Sequence, residues 1–330
     1  MRVSATSSSR VALTRSTTPE STGRLRASRA IWEHPEVAAA RRDRRPIVAL
    51  ESSVLAQGLP IPANAEAEAR VRAAVRARGA VPAITAVVRG VPTIGLDDAD
   101  LVRFLARDGV RKVSARDLPI AMTTRLDGAT TVAASLALCT AAELSVFATG
   151  GIGGVHREPA FDESADLVEL SRSPVIVVCA GAKSILDLPA TLERLDTLGV
   201  TVVGYGTDEF PGFFTRTTGL PVPARADSPA EVAAIFRASR ALGRRSAILV
   251  TLPPPAAHAL ERGEVDDAVE GALADARAAG VRGAAVTPFL LAAVQRATDG
   301  RSLLANLALL ESNAALAAEI AVALGVPEQS

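Results

Sequence analysis

Short apolar runs that stop at polar or glycine-rich turns, with amphipathic stretches between them, restrict this chain to few folds. The runs at 47–50, 144–149, 175–179, 200–205 and 247–252 each have the length of one buried strand. Helical stretches follow most of them: from Asn64, read as an N-cap, to about Gly79; up to Ala142; over 184–198; and from Ser228-Pro229, a cap with proline at the first helical position. Residues 83–88 and 91–96 read as a hairpin, Asp97 caps a helix to about Arg107, and 110–113 is a short strand. The polar stretch 127–131 reads as a turn opening a helix, where Thr130 and Thr131 act either as caps or beside an anion at the helix N-terminus. Helices fill 265–279, 288–297 and 302–324. Strand, turn and helix in alternation predict one α/β domain, with a largely parallel central sheet flanked by helices in an α-β-α arrangement.

Such sheets bind ligands beyond the carboxyl ends of their strands. Glu51, the Gly150-Gly151-Ile152-Gly153-Gly154 turn, Lys183 in Gly181-Ala182-Lys183, and Asp208 all follow strand ends, so one edge is expected to collect them. Glycine turns let backbone amides close around an anion. Lys183 stands out because the 36 lysines and arginines include only two lysines, Lys112 and Lys183. Arginine stays protonated and forms no imine, whereas a desolvated lysine can lose its proton and attack a carbonyl-like carbon. Glu51, at the end of a buried strand, is either a paired structural acid or a catalytic one. The acids Asp162, Glu163 and Asp166 read either as a solvated loop or as a hard-cation site, since no His or Cys accompanies them as zinc would require.

Composition removes several functions. Zero formal charge argues against nucleic-acid and membrane-surface binding, and 3% aromatic residues are too few for a base-stacking platform. Cys139 and Cys179 lie in apolar runs and read as free thiols in a reducing cytoplasmic setting. No uninterrupted apolar run reaches membrane-spanning length, because Glu311, Asn313 and Glu319 break the long C-terminal segment. A dinucleotide fingerprint starting at Gly151 fails at its last glycine, where His156 stands. Residues 1–45, rich in Ser, Thr and Arg, read as a disordered extension, with the folded domain at 46–330.

The segments ALESSVLAQGLPIPAN, DGATTVAAS, FATGGIGGVHRE, DESADLVELSRSPVIVVCAGAKSILD and VVGYGTDEFPGFFTR occur in this order, followed by TPFLL and SLLANLALLESNAALAAEIA. Together they resemble the pseudouridine-5′-phosphate glycosidases, over nearly everything but the N-terminal extension. The resemblance implies reversible cleavage of the C–C bond between uracil and ribose 5-phosphate. It implies Lys183 as the imine-forming nucleophile and Glu51 as the acid/base. Lys112, Val132, Thr149, His156, Ser164, Ala165, Asp166 and Asn306 would surround the substrate, and Asp162 would bind one Mn²⁺ per subunit of a homotrimer. Against the family pattern, Ser53 stands for Thr, Gln57-Gly58-Leu59 for His-Gly-Met, and Ser312-Asn313 for Asn-Asn, and the loop between His156 and Asp162 is two residues shorter. Two rival readings share the anion site: an aldolase-like lyase that also forms an imine, and a non-catalytic sugar-phosphate sensor.

Overall fold

The computed structural model describes residues 31–158, 161–281 and 286–325. The chain runs through β1 (Trp32–Glu33), α1 (Pro35–Arg42), β2 (Ile47–Leu50), α2 (Ala63–Ala77), β3 (Val81–Val88), β4 (Val91–Ile94) and α3 (Asp98–Ala106). It continues with β5 (Val110–Val113), α4 (Leu118–Thr123), β6 (Asp127–Thr130), α5 (Val132–Ala141), β7 (Val146–Ala148), β8 (Val155–His156) and α6 (Ala165–Arg172). Next come β9 (Ile176–Cys179), β10 (Leu186–Asp187), α7 (Leu188–Thr197), β11 (Thr201–Tyr205), β12 (Arg225–Ala226), α8 (Pro229–Ala241) and β13 (Ile248–Thr251). Three helices close the chain: α9 (Arg262–Ala278), α10 (Val286–Ala297) and α11 (Arg301–Gly325).

The main sheet runs β1-β4-β3-β2-β7-β9-β13-β11-β12, with β6 beside β3 and β5 beside β6. Its centre is parallel throughout: Leu50 pairs with Ile84 and Ala148, Ala148 with Val178, and Cys179 with Thr251. Antiparallel pairing enters where β3 meets β4 and β6. The central strands β9 and β13 are buried at every position, which explains why they are apolar runs without alternation. Helix α11 covers β2, β7 and β9 and packs on α2 and α8. At 25 residues, with mean hydropathy 1.6 in its most apolar window, it is long and apolar enough to cross a membrane, contrary to the sequence reading. Its apolar surface instead serves the core, with most residues between Ala305 and Ala321 buried against neighbours on several sides and Glu311 left exposed.

Several expectations change. Residues 32–45 belong to the fold: β1 pairs with β4, α1 buries Val37 and Ala40, and Arg41 pairs with Glu33. The expected disordered extension holds no claim on them, and its residues 1–30 lie outside the described residues. Asn64 sits inside α2, whose N-cap is Pro62, and it is 1% exposed. Its Nδ2 donates to the Leu55 and Leu105 carbonyls at 3.0 and 2.9 Å, tying α2 to the segment after Glu51. Residues 127–130 form a strand rather than a turn, because the hairpin β3–β4 leaves β3 a free side that they fill. The helix expected at 184 begins at Leu188, since Leu186 and Asp187 pair with β8.

Candidate active site

Strands β2, β7 and β9 are neighbours in the parallel centre, and the residues beyond their carboxyl ends form the site. The two glycine turns lock together through backbone bonds. Ala180 N donates to Gly150 O, Ile152 N to Gly181 O, and Lys183 N to Ile152 O, at 2.9, 3.0 and 3.1 Å. Gly181 has φ of 86°, and a Cβ there would lie 2.3 Å from the Pro211 carbonyl oxygen. A Cβ on Gly151 would lie 2.5 Å from the Phe213 ring. Only glycine permits these approaches, so the turns hold Lys183 in a fixed place. Asn313 of α11 secures the first turn from below, its Nδ2 donating to Thr149 O at 2.8 Å.

Glu51, Lys112, Lys183 and Asn306 line one cavity of about 260 Å³. Ser53, Val54, Gln57, Phe213, Thr287 and Leu291 complete much of its wall. Glu51 is 8% exposed, and its carboxylate accepts hydrogen bonds from Ser53 Oγ at 2.6 Å and from Thr149 Oγ1. Behind it, Ser52, Thr85, Thr130 and Ser135 form a buried hydroxyl network. Ser52 Oγ donates to Thr85 O at 2.7 Å, and the Thr130 amide donates to Ser52 Oγ at 2.9 Å. This network fastens the end of β2 to β3, β6 and α5. It gives Thr130 a core role, while Thr131 is the N-cap of α5, accepting from Ala134 N at 3.4 Å.

Both lysines of the chain therefore face one cavity. Lys112 is exposed at the cavity, although neighbouring protein partly desolvates its ammonium group. Burial, and then the charge of Lys183, pull the Lys112 pKa below its ordinary 10.5, against the smaller opposing pull of Glu51 and Asp166. These four charges thus lie within electrostatic reach of one another.

Asp166 joins the glycine turn to helix α5. It is 6% exposed, its Oδ1 accepts from Ala133 N at 2.9 Å, and its Oδ2 accepts from Gly153 N at 2.8 Å. Both carboxylate oxygens thus serve backbone amides, one of them next to Val132 in the first turn of α5. Ser164 caps α6, accepting from Asp166 N at 3.2 Å, and Ala165 is the exposed first residue of that helix. The His156 amide donates to Asp162 O at 2.9 Å, and β8 holds His156 opposite Leu186. The Asp162 carboxylate has no hydrogen-bond or ion-pair partner among the described residues. Among those residues, no group of three or more His, Cys, Asp or Glu is placed to hold a metal ion. Asp208 does not join the site; its side chain is 78% exposed and pairs with Arg225 at the far edge.

The sequence reading missed Asn313, Phe213, Gln57, Thr287 and Leu291 as parts of the site. Gln57 was visible as a departure from a family motif and Asn313 as the retained half of one, but which backbone or cavity they face is a matter of tertiary packing. Cys139 and Cys179 are fully buried, and burial pushes both thiols up to about 12, so they stay protonated and inert.

A family model described as Indigoidine synthase A like protein matches residues 36–323. A pseudouridine-5′-phosphate glycosidase of Gemmatimonas aurantiaca is 65% identical, over 91% of this chain and 96% of the relative. Another, of Herpetosiphon aurantiacus, is 51% identical over 88% and 96% of the two chains. Among solved structures, the prealnumycin C-glycosynthase AlnA in complex with ribulose 5-phosphate superposes with a TM-score of 0.83 at 38% identity, over 89% of this chain and 97% of that one. An indigoidine synthase A-like protein of Thermotoga maritima gives 0.82 at 36% identity, over 90% and 97%.

Proposed function

The chain belongs to the pseudouridine-5′-phosphate glycosidase family, and on that premise we propose how its site works. It is an enzyme that cleaves the C–C glycosidic bond of pseudouridine 5′-phosphate to uracil and ribose 5-phosphate, reversibly. The observation that carries the mechanism is the convergence of the only two lysines and the buried Glu51 on one cavity.

A leaving carbon has no lone pair to protonate, so a carboxylate pair of the usual glycosidase kind is not enough. Lys183 as a neutral amine attacks C1′, and the C1′–O4′ bond breaks as Glu51 delivers a proton to O4′. The amine then loses a proton, and its lone pair forms the C1′=N bond while the C1′–C5 bond breaks. The uracil carbon takes up a proton, and water hydrolyses the iminium to ribose 5-phosphate and free lysine. Ser53 and Thr149 orient Glu51 toward this transfer. The phosphate lies toward Lys112 and the first turn of α5 near Val132, with Ser164, Ala165 and His156 bordering it. Asp166 acts as a positioning residue for that turn, and Asn306 lies on the side of the base.

The divalent ion, Mn²⁺, would be held by Asp162, whose carboxylate is unpaired among the described residues, with water supplying most of its shell. Bound there, it would add positive charge beside the substrate, and no step above runs through it. We further propose a homotrimer in the reducing cytoplasm, in keeping with the two unpaired thiols. The direct test is incubation of the purified protein with pseudouridine 5′-phosphate and Mn²⁺, followed by chromatography for uracil. Release of uracil is expected; none being released overturns the reading.

A further inference from the structure

The catalytic cavity has a charged wall and a neutral one. Glu51, Lys112 and Lys183 carry the charge, and the anionic sugar phosphate and the reacting C1′ belong with them. Gln57, Asn306, Thr287 and Leu291 form the neutral side, which suits a neutral ring that must both donate and accept hydrogen bonds. This side opens into a second cavity of about 280 Å³, which shares Gln57, Gly58, Leu291 and Asn306 with the first. Gln57 therefore stands at the junction, against whatever leaves C1′.

The Gln57 carboxamide has a defined polarity. Its Nε2 donates to the Val110 carbonyl at 3.4 Å, and the flipped amide would set two oxygens against each other. Its Oε1 is buried and has no donor among the described residues. A buried acceptor without a partner is unfavourable, and a ligand N–H that reaches it gains the missing bond. The last torsion of a glutamine is soft, so the oxygen can swing toward a donor without moving the backbone. Uracil brings two ring N–H groups, and both are free when the ring is joined to ribose through carbon.

We propose that Gln57 is a specificity-determining residue of this enzyme: its amide oxygen accepts a ring N–H of the departing pyrimidine. The inference rests on the glycosidase reading and adds a residue that differs from the histidine usual at this position. A ring with its N–H masked would leave Oε1 without a donor, and the enzyme would discriminate against it.

The test compares kcat/KM for pseudouridine 5′-phosphate with that for its N1-methyl and N3-methyl derivatives, in wild type, Gln57→Leu and Gln57→Glu. Wild type is expected to prefer the parent over one of the methylated forms by roughly tenfold to a hundredfold. Gln57→Leu is similar in size, so a merely steric preference would survive it; the preference is expected to fall to near unity, through lost activity on the parent. Gln57→Glu keeps one oxygen to accept the ring N–H, while its second, as a protonated carboxyl, takes over the donation of Nε2 to the Val110 carbonyl, and it should keep the preference. Equal use of all three substrates by wild type, an unchanged preference in Gln57→Leu, or loss of the preference in Gln57→Glu would each overturn the proposal. The Glu arm decides even where Gln57→Leu does not fold. A wild-type enzyme that releases no uracil from the parent would overturn the glycosidase reading itself.

Discussion

Asp166→Ala separates positioning from substrate contact. The carboxylate accepts from Ala133 N at 2.9 Å and from Gly153 N at 2.8 Å, and it is buried. A hydrogen bond to a charged group contributes about 1.5–3 kcal/mol net, and two are lost together. Water entering the vacated space, and relief of carboxylate burial, offset part of this, which leaves a destabilisation of about 3 kcal/mol. At about 2.1 cal/mol/K per residue, a domain of roughly 300 residues should then melt about 5 °C lower. Asp166→Asn, which keeps one acceptor but turns an NH₂ toward the other amide, should fall between. Differential scanning calorimetry measures the shift, and steady-state kinetics should show kcat falling along with kcat/KM, because the glycine turn and the α5 N-terminus lose their common anchor. An unchanged melting temperature with a rise in KM alone would refute this reasoning and make Asp166 a direct substrate ligand.

Lys183→Arg should abolish turnover by several orders of magnitude, since a guanidinium cannot form an imine. Borohydride with ribose 5-phosphate should trap an adduct that peptide mass mapping places on Lys183; an adduct on Lys112 would contradict the assignment. Asp162→Ala should shift the Mn²⁺ activation curve while leaving the circular dichroism spectrum intact, and an unchanged curve would remove Asp162 from the metal site. Burial and the Lys183 charge lower the Lys112 pKa, so between that lowered value and 10.5 the unfolded chain holds more proton there than the folded one. Stability from this group therefore rises with pH across that window. Lys112→Met should flatten the rise in urea denaturation as the pH approaches 10.5 from below; identical slopes would count against it.

Much of this protein was legible in its sequence because local chemistry decided it. Buried parallel strands must be continuous apolar runs, so β2, β9, β11 and β13 were readable from residue type alone. Asp97, Ser228 and the glycine turns announced themselves because capping and close backbone approach admit few residues. The scarcity of lysine singles out Lys183 and Lys112 by residue type alone. What the sequence withheld depends on partners distant along the chain. Residues 127–130 became a strand because β3 offered an open side, and Asn64 left its capping role because two carbonyls lay within its reach. Asp166 was legible as an acid near the site, but the two backbone amides on its oxygens were not. Asp208 follows a strand end as Glu51 does, yet β11 lies beyond β13 from the site-forming strands, and strand order is fixed only when the sheet is assembled. Residue type dictates which groups can do the chemistry; packing between remote segments decides which of them meet.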